Sequence, residues 1–143
     1  MKEELREVIA KAVSNPRSYL DLTLVYDKGH ELSGTTHFEM RAGGDFSLRS
    51  VNPRTQRTIS IEGKLEDDQR DALLAAIDQS GLIDVPSSTR NIGDDEPPIS
   101  VTLSYDNLVQ RLLIWDGDAR TNPEFQRFES VLRSLLGQLS GGP

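Results

Sequence analysis

The sequence contains no cysteine, and this absence removes several kinds of chemistry. Disulfide bonds, thiol catalysis and cysteine-based zinc sites each need a sulfur atom, so all three are excluded. Histidine is also scarce, with two in 143 residues, so a histidine-rich catalytic or metal centre is not expected. We therefore expect no metal and no cofactor.

Long apolar segments are missing as well. No stretch approaches the ~20 apolar residues that a membrane-spanning helix needs. Residues 1–7 are too charged for the apolar centre of a signal peptide. The formal charge of −7 disfavours nucleic acids and anionic lipid, because an acidic surface repels phosphate groups. We therefore expect a cytoplasmic protein that binds neither membranes nor nucleic acids.

The first half of the chain is dominated by alternation of apolar and polar residues. An amphipathic helix is predicted at 2–13, from an apolar stripe of Leu5, Val8, Ile9, Ala12 and Val13. The strands predicted after it are 19–27, 32–41, a short one around 46–48, and 58–63. Turn-forming residues at 28–30, 42–45 and 52–54 separate these strands, which predicts an antiparallel meander.

The second half mixes helices and strands. A helix is predicted at 65–80, with Gly81 in the left-handed position that ends it. A loop at 84–98 precedes strands at 99–105 and 108–115. The latter is continuously apolar at its end, which favours an inner strand covered on both faces. Asn122 caps a final helix at 122–139, and residues 140–143 form a flexible tail.

Together these patterns predict one α+β domain over residues 1–143. About six mostly antiparallel strands carry helices 65–80 and 122–139 on one face, in addition to the N-terminal helix. The N-terminal helix either covers the sheet or mediates a homodimer. The other face is expected to present the polar set Thr23, Thr35, His37, Glu39, Arg41, Ser47, Arg49, Thr58, Ser60 and Glu62.

Three segments carry residue types that are suited to chemistry. His37, Glu39 and Arg41 alternate on one strand face, so they form either an acid–base or metal site or a solvated polar face. Asp116-Gly117-Asp118 resembles the start of a calcium loop, but Thr121 and Arg127 stand where that loop needs glycine and glutamate, so a polar turn is favoured. Asp94-Asp95-Glu96 either recognises a basic partner or a cation, or is a solvated loop, which is favoured. The speculative partner-binding set is His37, Glu39, Arg41, Arg49, Arg90, Asp94 and Asp95.

The order of these segments is similar to that of a group of small bacterial proteins. The similarity rests on residues 43–46, 65–70, 73–74 and 80–82, followed by the strands 99–105 and 108–115 and the apolar C-terminal helix. The similarity covers roughly the last two-thirds of the chain. In this part the chain resembles the emfourin-type proteins, whose founding member inhibits a thermolysin-like metalloprotease. The likeness implies a fold, and none of its motifs is an inhibitory signature.

Three functional hypotheses follow. A non-catalytic binding or regulatory module with a protein partner is favoured, because no catalytic constellation is recognisable. Inhibition of a metalloprotease is the specific alternative that the resemblance implies. A small enzyme that uses His37 and Glu39 is the third hypothesis.

Overall fold

The protein is described by a computed structural model that covers residues 2–30, 34–94 and 96–141. Its helices and strands are α1 Lys2–Ser14, β1 Thr23–His30, β2 Gly34–Arg41, β3 Asp45–Asn52, β4 Arg57–Lys64, α2 Asp67–Gln79, β5 Pro98–Tyr105, β6 Leu108–Trp115, α3 Asp116–Thr121 and α4 Pro123–Gly141. Short 3-10 helices lie at Pro16–Tyr19 and Leu82–Asp84. None of the helices in these ranges is long and apolar enough to cross a membrane.

The strands form one open antiparallel sheet in the order β4-β3-β2-β1-β5-β6, which confirms the predicted α+β class. Successive side chains point to opposite faces of a strand, so the register decides which residues share a face. Tyr26 pairs with Phe38 on one side and with Val101 on the other, and Phe38 pairs with Leu48. These four side chains are buried, so they mark the face that contacts the core.

All three long helices cover that same face. Phe125 and Phe128 on α4 are fully buried, and Phe128 packs against the ring of Tyr26. On α1, Leu5, Ile9 and Ala12 are buried in the same cluster. Helix α1 contacts α2, β5 and β6. The apolar stripe of α1 is therefore buried within the domain, and the alternative of a dimer through this stripe is not supported.

The predicted helix ends are confirmed in their chemistry. Gly81 has a φ of 76°, the left-handed conformation that glycine adopts without strain. Asn122 Oδ1 accepts a hydrogen bond of 2.9 Å from Phe125 N at the start of α4. Helix α2 begins at Asp67, two residues later than predicted, because Glu66 and Gln69 form a capping box there. Helix α4 continues to Gly141 and thus includes two residues of the predicted tail; residues 142 and 143 lie outside the described ranges.

Two predicted features of β1 are wrong. Residues 16–19 form a 3-10 helix, so β1 begins at Thr23 instead of residue 19. Residues 28–30 belong to the strand and do not form a turn. Gly29 pairs with Thr35 at a φ of 118°, and a Cβ there would lie 1.9 Å from the carbonyl oxygen of Gly34. Only glycine fits this close approach, so a residue that reads as a turn former is here part of a strand. Residues 32 and 33 of the predicted second strand lie outside the described ranges.

The prediction that β6 is an inner strand is also wrong, because β6 forms one edge of the sheet. Val109 and Leu113 are 48% and 42% exposed on the face away from the helices. A loop covers the C-terminal end of the outer edge of β6. Leu113 N donates to Ser87 Oγ at 3.1 Å, and Ser88 N donates to Leu113 O at 2.9 Å. The apolar residues 112–115 therefore do not require an inner strand: one face of β6 contacts the core, and a loop covers the outer edge near Leu113.

Candidate functional site

All six strands present side chains on the side of the sheet that the helices do not cover. We call this side the open face. It consists of Thr23, Val25, Asp27, Thr35, His37, Glu39, Arg41, Asp45, Ser47, Arg49, Val51, Thr58, Ser60, Glu62, Lys64, Ser100, Thr102, Ser104, Val109, Arg111 and Leu113. The ten polar residues predicted for this side all lie on it.

An imidazole between two carboxylates lies near the centre of the open face. The register places His37 opposite Asp27 on β1 and opposite Arg49 on β3. His37 Nδ1 is 2.5 Å from Asp27 Oδ1, and His37 Nε2 is 3.9 Å from Glu39 Oε2. All of these side chains reach the solvent. The hydrogen bond to the aspartate orients the imidazole.

The predicted site lacks Asp27 because the predicted turn at 28–30 ends the strand directly after this residue, whereas β1 extends to His30. A turn at 28–30 pairs Asp27 with a residue close to that turn. The longer strand β1 instead pairs Asp27 with His37, ten positions later. The available signal is the alternation with the apolar residues 22, 24 and 26, which puts Asp27 on the same side as Asp21, Thr23 and Val25.

A shallow groove of about 560 Å³ runs across this part of the sheet. Asp27, His37 and Arg49 line it on one side, and Ser100 and Leu113 line it on the other. Hydrogen-bonding groups and exposed apolar atoms thus lie next to each other. Such a mixture is typical of surfaces that bind proteins.

The side chains of three arginines on the open face have no partner among the described residues. Arg41, Arg49 and Arg111 are exposed and form no ion pair or side-chain hydrogen bond within the part of the chain that the structure describes. Their guanidinium groups carry five N–H donors each in a planar arrangement. These donors are therefore available to an incoming molecule.

A second, larger groove of about 1000 Å³ lies at one end of the sheet, but three of the charged groups that line it, Lys28, Asp116 and Arg120, already pair with one another. Lys28 Nζ is 3.1 Å from Asp116 Oδ1, and Arg120 Nε is 2.8 Å from Asp116 Oδ2. Asp116 begins helix α3, so the Asp116-Gly117-Asp118 segment predicted as a turn is helical. The aspartate that resembled a calcium ligand instead binds two cationic side chains.

The same network continues into the core. Glu129 is 1% exposed, and it accepts hydrogen bonds from Tyr26 Oη at 3.0 Å and from Arg133 Nη2 at 2.7 Å. Lys28 Nζ lies 3.7 Å from the same carboxylate. Burial and the adjacent Glu129 raise the pKa of Tyr26 far above its ordinary value. This network fixes α4 to β1, so we assign it a structural role.

Arg90 clamps the loop between α2 and β5. Its Nη1 and Nη2 atoms donate to the two carboxylate oxygens of Glu96 at 2.9 and 2.6 Å, and its Nε donates to Asp118 at 3.1 Å. Glu96 also accepts hydrogen bonds from the backbone N–H groups of Gly93 and Gly117. The Arg90 side chain and these N–H groups lower the pKa of Glu96 to about 2. Bonds from Ser88 and Arg90 lower the pKa of Asp118 as well.

The loop residues of the predicted binding set thus separate into different roles. Arg90 is fully engaged in holding the loop, so we do not include it in the binding surface. Glu96 is wrongly predicted as a solvated residue, since it is the partner of Arg90. Asp94 is exposed in the loop that precedes β5, and it is not among the strand residues that form the open face. Asp95 lies outside the described residues.

No group of three or more histidine, aspartate or glutamate side chains that could hold a metal ion occurs in the described ranges. His37 has carboxylates on both sides, but this set is not arranged around a common point. The expectation that the protein binds no metal or cofactor stays a prediction.

Comparisons with known proteins do not narrow the function. The chain matches no protein-family model, and it matches no curated protein. The similarity to emfourin-type proteins therefore stays a prediction. What the structure establishes is the α+β class, with an open antiparallel sheet and helices on one side of it.

Proposed function

We propose that this protein is a non-catalytic binding module whose open face binds a protein partner. The observation that carries the proposal is the sheet itself: within residues 2–30, 34–94 and 96–141, helices cover one face only, while all six strands present side chains on the other. An antiparallel sheet tolerates a solvated face, so the fold does not require that this face be covered. It is therefore free to serve binding.

The dimensions of the open face favour a protein over a small molecule. Its strands are each eight residues long. With a rise of about 3.3 Å per residue and a spacing of about 4.8 Å between strands, the face measures roughly 25 by 25 Å, on the order of 600 Å². A stable protein interface takes about 600–1,000 Å² from each partner, so the face is large enough for the lower end of this range. Small molecules instead prefer deep and mostly apolar pockets.

The side chains support the same conclusion. Three unpaired arginines, the oriented imidazole of His37 and a series of serine and threonine hydroxyls provide hydrogen-bonding groups, while Val109 and Leu113 provide apolar area. Arginine is enriched in protein interfaces and is often a residue whose loss weakens binding strongly. Arg49, beside His37, is the arginine that we expect to contribute most.

Photocrosslinking tests the proposal. A photoreactive amino acid is introduced at Thr102 on the open face or, as the matched control, at exposed Ser130 on α4. Both variants are expressed in the native host and irradiated. We expect a covalent adduct with another protein from position 102 and none from position 130, and Arg49→Glu should suppress the adduct at least severalfold.

Two outcomes contradict the proposal. An adduct from position 130 alone would place the binding surface on the helices. An adduct from position 102 that is unchanged by Arg49→Glu and by His37→Ala would show that the open face is approached without specific recognition. The mass of the adduct identifies the partner, and addition of a thermolysin-like protease as bait tests the inhibitor hypothesis in the same experiment.

The enzyme hypothesis is favoured by one observation, the Asp27–His37 pair. An imidazole held by a carboxylate is the arrangement that general bases use. No hydroxyl group in the described ranges lies within hydrogen-bond distance of His37, so the chemistry available is activation of water. Loss of a hydrolytic activity in both His37→Ala and Asp27→Asn, with folding unchanged, would support this function over the binding module.

A further inference from the structure

The two edges of the sheet differ in how far other segments of the chain cover them. The loop that contains Ser87 and Ser88 covers the C-terminal end of the β6 edge with hydrogen bonds to Leu113 and Trp115. In the described ranges, β3 is the only strand that pairs with β4. The outer row of backbone N–H and C=O groups of β4 is thus open to another strand.

Strand β4 has few of the features that prevent edge-to-edge pairing. It is eight residues long, contains no proline and pairs with β3 without a bulge. Seven of its eight residues are exposed, and Ile59, on the side of the core, is 39% exposed. Charged residues lie toward its ends, at Arg57, Glu62 and Lys64, while its centre reads Ile59-Ser60-Ile61. An uncharged centre on an open edge is a pairing site.

We propose that two copies of the chain pair through β4, antiparallel and around a twofold axis that passes at Ser60. Directly opposed residues of an antiparallel pair lie on the same face of the sheet. A twofold axis perpendicular to the sheet therefore restricts the pairing to registers in which odd-numbered residues of β4 face odd-numbered ones and even-numbered residues face even-numbered ones. With Ser60 opposite itself, each Ile59 faces Ile61 of the other copy, whereas a shift by one step in either direction leaves a single pair of isoleucines.

Charge and closure favour a second copy over an unrelated peptide. β4 is preceded by Arg54 and begins at Arg57, and it is followed by the acidic segment Glu66-Asp67-Asp68. Antiparallel pairing brings the basic start of one strand toward the acidic segment of the other. The twofold pairing occupies the β4 edge of both copies, and the resulting sheet of twelve strands ends on β6 at both sides, where a loop bonds to Leu113 and Trp115. Association therefore closes at two copies.

Sedimentation of the full chain over a range of concentrations tests this interface. We expect a reversible monomer–dimer equilibrium with no larger species. Ser60→Lys and Ser60→Glu each place two like charges opposite each other, which should raise the dissociation constant by roughly fivefold, the equivalent of one unfavourable cross-strand pair. An equimolar mixture of the two variants should restore or exceed wild-type affinity. Ser60 is exposed, so both variants should fold.

The control is Val109→Lys, a comparable exposed position on the other edge strand, which should leave the dimer unchanged. A wild-type chain that stays monomeric at several hundred micromolar overturns the proposal. Species larger than a dimer overturn the closure argument. Tighter association of Ser60→Lys alone overturns the register, because Ser60 then faces Glu62. This readout is independent of the partner adduct at Thr102, so either proposal can fail without the other.

Discussion

Replacing Leu5 by alanine tests whether helix α1 is part of the core. Leu5 has no exposed surface, and it lies in the same buried cluster as the sheet and the other helices. Its neighbours one and two turns further along α1, Ile9 and Ala12, are buried with it. If this packing is correct, α1 is required for stability although it comes before the sheet in the chain.

The expected magnitude follows from the burial. Removing a leucine side chain from water is worth about 1.5–3 kcal/mol. Because the surrounding side chains collapse only partly into the space left behind, a buried leucine-to-alanine replacement costs about 2–5 kcal/mol in total. Domains of this size are stable by about 5–15 kcal/mol. Leu5→Ala should therefore fold but unfold at a clearly lower urea concentration.

Leu20→Ala is the matched control, because Leu20 is the same residue type but is 52% exposed. Surface substitutions usually change stability by less than about 0.5 kcal/mol. Urea unfolding followed by far-UV circular dichroism gives both values. If Leu5→Ala and Leu20→Ala unfold at the same urea concentration, α1 does not pack against the core, and the argument fails.

The same reasoning predicts the effect of removing residues 1–14. Leu5 and Ile9 alone contribute on the order of 3–6 kcal/mol of apolar burial. This is comparable with the whole stability of a small domain. We therefore expect the shortened chain to be unfolded or only partly folded, in contrast to the behaviour of an accessory segment. A cooperative urea transition near that of the full chain would contradict this expectation.

The remaining predictions concern four single positions. Gly81→Val should cost about 1–3 kcal/mol in urea unfolding because of its positive φ, whereas Gly137→Ala, in open space on α4, should stabilise by about 0.5–1 kcal/mol. The folded-state pKa of Glu96 is about 2, which is below its ordinary value of 4.5. The ionised carboxylate therefore stabilises the loop fully at a pH above 4.5, and this stabilisation is lost as the pH falls toward 2. The fluorescence of Trp115, whose Nε1 donates to Arg90 O, should therefore change in that pH range, and Glu96→Gln should show the changed spectrum at pH 7. Tyr26→Phe removes a hydrogen bond from buried Glu129 and should cost about 1–3 kcal/mol; in the wild type, the raised pKa of Tyr26 should leave its phenol protonated in an alkaline absorbance titration until the protein unfolds.

Local patterns in the sequence predict most of the secondary structure. Alternation places Leu24, Phe38 and Val101 on the core face, and the helical spacing of Leu5 and Ile9 defines the buried side of α1. Caps such as Asn122 and the left-handed Gly81 act within a few residues, so they are recognisable without knowledge of the fold.

Pairing between distant segments is what the sequence does not reveal. The apolar run at the end of β6 is consistent with an inner strand, but a loop more than twenty residues earlier, at Ser87 and Ser88, covers its edge. The partner of Arg90 is equally hidden. Glu96 lies in an acidic run that reads as solvated, and only the fold brings Asp118 to the other side of the guanidinium.

The charge distribution limits how the open face recognises a partner. The acidic residues on it are Asp27, Glu39, Asp45 and Glu62, and the basic residues are Arg41, Arg49, Lys64 and Arg111. These charges balance, although the whole chain carries −7, so the excess negative charge lies outside the open face. A partner drawn only by net charge would approach the other surfaces. Recognition at the open face must therefore depend on the placement of individual groups such as Arg49 and the His37–Asp27 pair, and on the apolar contacts along β6.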